Sequence, residues 1–162
     1  MKLRILDYKL ARTTVRWICP REVPDVLRIE AACFSHPWSA QDFIDILNDR
    51  KTVGMVAEHR GRIVGYIIVQ HDAHFYRIAS VAVHPDFRRQ SIATVMVQRF
   101  LQRAALGRDR TMVAAVVVED NAAACEFFRS LGFRAYAIVR DYFEHQDGAR
   151  QDGYRFVWEG QP

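Results

Sequence analysis

SVAVHPDFRRQSIATVMVQRFLQRAA, the run from Ser80 to Ala105, decides the reading of this chain. Ser80–Val83 is a short string of β-branched and small residues, as a buried strand would have. Pro85 ends it, and Arg88-Arg89-Gln90-Ser91-Ile92-Ala93 is expected to open a long helix. Along that helix Ala93, Val97, Phe100, Leu101 and Ala104 recur at helical spacing, with Gln98, Arg99, Gln102 and Arg103 on the other side. A strand that feeds a basic turn into a helix start gathers unpaired backbone N–H groups and the positive end of a dipole at one place. Such a place suits a pyrophosphate, and Arg88 and Arg89 add formal charge beside it.

The rest of the composition narrows what such a turn can serve. A length of 162 residues is one domain with room for a real core, and 50% apolar with 26% charged residues is ordinary globular composition. A net charge of +4 suits a small anionic ligand. No long Lys/Arg run and no aromatic ladder accompany it, so nucleic acid is not an expected partner. Cys19, Cys33 and Cys125 are odd in number and far apart, which reads as reduced thiols in a cytoplasmic protein and gives no metal-ligand spacing. The leader MKLRILDYKLARTT is broken by Asp7 and Lys9, so it has no secretory core. No apolar run reaches membrane-spanning length. Residues 1–13 are expected to be a tail, in preference to an appended peptide or a targeting segment, and 14–160 a single domain.

Working outward, Thr14–Ile18 alternates as a first strand and Val23 to Phe34 follows as a helix. Val23, Leu27, Glu30 and Phe34 share one face of it, which puts a carboxylate among core positions. Glu30 is either satisfied by a nearby backbone amide or Arg, or it meets an incoming amine. Ser39-x-x-Asp42 is a capping box that opens a helix to about Leu47. Strands follow at Lys51–His59, Arg62–His71 and Phe75–Val83, the first two joined through Arg60-Gly61. His71, Asp72 and His74 read as a solvated turn. Gly107 to Arg110 is a polar turn, and Thr111–Glu119 is a nearly continuous apolar strand. Asn121 caps the next helix and Gly132 ends it. Phe133–Val139 and Gly153–Trp158 complete the sheet, with Asp141–Asp152 expected as an exposed polar connection.

Two motifs in this order carry a family resemblance. Arg88-x-x-Ser91-x-Ala93 resembles the (Q/R)-x-x-G-x-(G/A) signature of the GNAT acetyltransferase superfamily. Asn121-Ala-Ala-Ala-Cys-Glu-Phe-Phe-Arg-Ser-Leu-Gly-Phe133 is similar to the helix that follows it there. The subgroup most resembled is that of the ribosomal-protein alanine N-acetyltransferases, over roughly Val15 to Trp158. The resemblance implies an α+β (α/β) GNAT fold: a mixed, mostly antiparallel sheet of six or seven strands, splayed at the cofactor site and flanked by about four helices. It implies acetyl-CoA as acyl donor, held by Val81, Ala82 and Val83 through strand backbone. Arg88, Arg89, Gln90, Ser91, Ile92, Ala93 and Thr94 would hold the pyrophosphate, with Asn121 and Phe128 also lining the site. The acceptor implied is a protein or peptide N-terminus, or a small amine, in a cytoplasmic monomer or dimer.

Around the acceptor, His36-Pro37-Trp38-Ser39 resembles the loop that borders the peptide site in the subgroup, so Pro37 and Trp38 are candidate substrate contacts. Trp38 reads equally as a core anchor. Tyr142, in Arg140-Asp-Tyr-Phe143, resembles a loop residue of the peptide groove; it either touches substrate or packs its own loop.

The chain departs from the pattern in three places. Ser91 stands where the family has its first glycine, so a Cβ sits where backbone must approach phosphate. Val116, five residues before Asn121, replaces the residue that relays the amine proton. Phe128, seven after it, replaces the Tyr that protonates the leaving sulfur. Tyr76 and Glu30 are the remaining catalytic candidates. A positioned acid or base contributes about 10²–10⁴ in rate. An α-amine of pKa about 7.7–8.0 is neutral at roughly the ten-per-cent level at pH 7, far more than a lysine near 10.4. An N-terminal acetyltransferase therefore tolerates these losses better than a lysine acetyltransferase does. The alternative left open is an impaired GNAT domain that binds acetyl-CoA as a regulatory or partner-binding module.

Overall fold

The computed structural model describes residues 13–71, 74–107, 112–145 and 147–160. Residues 1–12 of the expected tail, Asp72 and most of the polar turn before the apolar strand lie outside these residues, and Thr13, also placed in the tail, opens the first strand. Among the described residues seven strands share one sheet in the order β1-β2-β3-β4-β5-β7-β6, and four α-helices accompany them, as the resemblance implied. The strands are β1 Thr13–Trp17, β2 Thr52–His59, β3 Arg62–His71, β4 Phe75–Val83, β5 Met112–Val118, β6 Arg134–Glu144 and β7 Arg150–Glu159. The helices are α1 Val23–Cys33, α2 Ala40–Asn48, α3 Ile92–Ala105 and α4 Ala122–Ser130. By their contacts the residues form two compact units, one within Met1–Val69 and Ser80–Arg99, the other within Gln70–Ala79 and Phe100–Pro162.

In the first unit β1 runs antiparallel to β2, from Thr13 opposite His59 to Trp17 opposite Met55. Arg60 and Gly61 make the β2–β3 turn at φ 51° and 78°, the two left-handed residues that a tight hairpin of matching twist requires. Ser39 caps α2 through both arms of its box, its hydroxyl accepting from Asp42 N and its N–H donating to the Asp42 carboxylate. Val26 and Ile29 of α1, Phe43 of α2 and Val56, Ile67 and Ile68 of the strands are fully buried. Each such side chain removed from water contributes about 1.5–3 kcal/mol. Glu22, only 5% exposed before α1, is held by Arg16 of β1, which also pairs with Glu58 of β2.

The second unit is built on β5. It pairs in parallel with β4 over four residues, Phe75–Ile78 with Met112–Ala115, and antiparallel with β7 along its full length. Past Ile78, β4 continues to Val83, while β5 continues to Val118 along β7. Asn121 caps α4 by accepting Ala124 N at 3.0 Å, and Gly132 closes it at φ 88°.

Two expectations need correction. The stretch after Val139 is not a polar connection: β6 runs on to Glu144, and β7 starts at Arg150. Asp141 turns left-handed at φ 51°, and the register shifts between Val139 and Phe143. The carboxylate of Asp152 takes both the Arg140 guanidinium and the Asp141 N–H, so the polar letters clamp a bulge instead of ending a strand. Likewise α3 begins at Ile92, not at Arg88. Arg89 and Ser91 lie at φ 63° and 62°, outside any right-handed helix.

Candidate active site

The strand-to-helix turn is an exposed cradle of backbone. After β4, Pro85–Phe87 forms a single 3-10 turn, closed by Phe87 N to His84 O at 2.9 Å and Arg88 N to Pro85 O at 3.2 Å. The left-handed residues Arg89 and Ser91 then reverse the chain into α3, whose backbone ladder opens with Val95 N on Ser91 O at 3.0 Å. The N–H groups of Ile92, Ala93 and Thr94 precede that bond and have no helical carbonyl to meet. Alternating left-handed residues ahead of a helix start make a concavity of N–H groups suited to a phosphate. Arg89 and Ser91 are exposed, Gln90 is half-buried, and the Ile92 side chain is in the core, which leaves its backbone for a ligand.

Arg88 does something the sequence did not suggest. Its Nε donates to Val83 O at 3.2 Å, and Nη2 lies 3.4 Å from Cys33 Sγ, while the Cys33 thiol donates to the same carbonyl at 3.3 Å. Its guanidinium thus ties the turn to the end of β4 and to α1. Val81 is half-buried, and Ala82 and Val83 are 7% and 8% exposed, so a ligand alongside them would meet main chain.

The loop that carries Pro37 and Trp38 is fastened from below. Glu30, 2% exposed, accepts the Trp38 N–H at 2.9 Å on one oxygen and the Tyr66 phenol on the other. The Tyr66 oxygen also lies 2.9 Å from Ser80 Oγ in β4. The Trp38 ring packs on Phe43 at 5.2 Å, and Phe43 meets the Tyr66 ring edge-on at 5.6 Å. Pro37 is exposed and Trp38 half-buried at the lip of this circuit. Burial, which disfavours the charged form, is the main reason the Glu30 carboxyl is pushed above its usual range, against the two hydrogen bonds. Burial likewise keeps the Tyr66 phenol protonated, and the adjacent carboxylate adds to it. The backbone amide that one reading of Glu30 called for is the Trp38 N–H, and Tyr66 is the partner that sequence reasoning missed. Its signal was present: a single phenol in the aliphatic run Ile63–Val69 needs a partner once buried, as does a single carboxylate on a core face.

The remaining candidates lie in the second unit. Tyr76 is half-buried, edge-on to Phe100 at 5.2 Å and to His71 at 6.1 Å. Tyr142 lies in β6 and not in a loop; it is 38% exposed, and its hydroxyl accepts Arg77 Nη1 at 3.0 Å. Phe128 is 4% exposed and packs among Phe127, Phe133 and Phe156. Val116 pairs with Arg155 of β7 and offers only hydrocarbon.

This architecture is shared with solved acetyltransferases. The ribosomal-protein-S18-alanine N-acetyltransferase of Escherichia coli superposes at TM-score 0.82 with 22% identity, covering 93% of this chain and 96% of that one. Arabidopsis thaliana NAA60 in complex with acetyl-CoA superposes at 0.80 with 16% identity, over 91% and 98%. In sequence, the [ribosomal protein bS18]-alanine N-acetyltransferase of Escherichia coli K12 is 26% identical over 134 residues, 81% of this chain and 86% of that protein. An acetyltransferase of Pectobacterium atrosepticum is 32% identical over 106 residues, 64% and 74% of the two chains. The model of the acetyltransferase (GNAT) family matches residues 23–133, and the chain belongs to that family. It is an acetyltransferase by that membership.

Proposed function

We propose that the protein transfers the acetyl group of acetyl-CoA to the N-terminal α-amine of a protein or peptide. The observation that carries this choice is the hydrocarbon at Val116 and the core packing of Phe128, where no side chain can accept or donate a proton. With no direct base or acid at those two positions, an acceptor whose ammonium parts readily with its proton fits best: near pH 7 an α-amine is about two orders of magnitude better supplied in the neutral form than a lysine. Relatives named for alanine N-acetylation support the same acceptor class.

In this reading the left-handed turn at Arg89 and Ser91 and the first N–H groups of α3 bind the diphosphate. The backbone of Val81–Val83 aligns the pantetheine, and one N–H there faces the thioester oxygen. Arg88 holds that strand end and the turn in one geometry. The lip at Pro37 and Trp38 borders the peptide, and Tyr142, steadied by Arg77, is a second substrate contact. Asn121 stays assigned to the cofactor alongside its cap. The test is mass spectrometry of peptides that differ in their first residue and carry one internal lysine, incubated with acetyl-CoA. Acetyl on the α-amine is expected; acetyl on the lysine alone, or on neither, would overturn the proposal.

A further inference from the structure

A chain of hydrogen bonds leads inward from β4, and with Glu30 ionised its direction follows from proton count. Tyr66 has one phenolic proton, and it goes to Glu30. With that proton committed, its oxygen can only accept from Ser80, 2.9 Å away. The order of donors is therefore Ser80 to Tyr66 to Glu30, and it ends on a carboxylate. Ser80 is half-buried and immediately precedes Val81–Val83, the segment assigned above to the pantetheine. Glu30 and Tyr66 are sealed at 2% and 0% exposure.

No Lys or Arg pairs with Glu30 among the described residues; it faces the Trp38 N–H and the Tyr66 hydroxyl. Fastening the loop alone would be served by a neutral amide at lower desolvation cost. Other titratable groups nearby are Cys33 on α1 and, on its far side, Arg88 at 3.4 Å from its sulfur; α2 presents the uncharged Phe43.

We propose that Ser80, Tyr66 and Glu30 form a proton relay that deprotonates the acceptor ammonium, the task for which Val116 offers no base. The proposal rests on the α-amine acetyltransferase reading above. The ammonium gives a proton to Ser80 Oγ as the serine proton moves to Tyr66 and the phenol proton to Glu30, which becomes a carboxylic acid. The freed nitrogen pair forms the C–N bond to the thioester carbon, and the C–S pair leaves on sulfur. The second nitrogen proton goes to that sulfur, giving amide and free thiol. Glu30 later returns its proton outward by the same chain. A carboxyl lifted by burial is better matched to this work near neutrality than an exposed one.

Ser80→Ala cuts the chain at its mouth and leaves the Glu30–Tyr66–Trp38 bonds in place, so a purely structural network predicts no change. For an α-amine of pKa about 7.8, wild-type log(kcat/KM) is expected to be level below that value, down to the Glu30 titration. The Ser80→Ala profile should climb tenfold per pH unit to the amine's own pKa. Scarcity of neutral amine then gives a loss of about 20-fold at pH 6.5, closing to about twofold at pH 8. Ser80→Thr should restore the wild-type profile. In the cofactor-free protein, a ¹³C-labelled Glu30 carboxyl should titrate above the ordinary value near 4.3. A Ser80→Ala profile superimposed on wild type, or Glu30 titrating at or below that value, overturns the relay alone. Absence of product from wild type at any pH overturns the relay and the acceptor assignment together.

Discussion

Replacing Ser91 by glycine separates two physical effects at the cradle. Ser91 sits at φ 62° just before α3, a region that costs an L-residue about 1–2 kcal/mol and glycine almost nothing. Against this, glycine gains freedom in the unfolded chain, worth about 0.4–1 kcal/mol. The net gain is about 0–1.5 kcal/mol, a rise in Tm of up to roughly 5 °C for a chain of this length. That strain is present with or without ligand, so it cancels in the binding equilibrium. What remains for affinity is the Cβ itself, whose removal relieves crowding at the phosphate worth about 1 kcal/mol, a fivefold tightening. Melting of the ligand-free protein reads the first effect, and calorimetry with coenzyme A the second. Ser91→Ala, which keeps the Cβ and loses the hydroxyl, should bind no tighter than wild type. A glycine variant that melts lower and also binds coenzyme A more weakly would refute the reasoning.

Two further substitutions probe the frame around the site. The Glu22 carboxyl is held below its usual range chiefly by the Arg16 guanidinium, so the stability it confers is present above the unfolded value near 4.3 and lost as pH falls below it. Glu22→Gln should cost about 1–2 kcal/mol at pH 7, moderated because Arg16 keeps Glu58, and should flatten the acid limb in urea titrations between pH 3 and 7. An acid limb as steep as wild type would count against that pairing. Gly153 faces Val116 so closely that an added Cβ would lie 2.6 Å from Val116 Cγ1 and 3.0 Å from the Phe143 ring. The stiff valine cannot yield cheaply, so Gly153→Ala should lower stability by about 1–3 kcal/mol, and an unchanged melt would contradict the β5–β7 register.

What the sequence revealed and what it hid divide along local and non-local causes. The Ser39–Asp42 box, the Asn121 cap, the Arg60-Gly61 turn and the apolar face of α3 depend on residues a few positions apart, and each stands where the pattern put it. The left-handed pair Arg89 and Ser91 was legible only in part: the motif's missing glycine marked Ser91, but the residues were assigned to the helix itself. The extension of β6 was hidden because its bulge is clamped by Asp152, eleven residues away from Asp141. Most of β6 is also solvent-facing, so no hydrophobic alternation marks it as a strand. The Glu30–Tyr66–Ser80 chain spans three elements, and sequence can show that each polar group lacks a local partner without saying which pair meets.

The central claim, that residues 81–94 grip coenzyme A, is tested most directly by titrating the cofactor into ¹⁵N-labelled protein. The account predicts saturable shifts at the amides of Val81–Val83 and of Arg89–Thr94. Saturable binding that leaves those amides unmoved would contradict it.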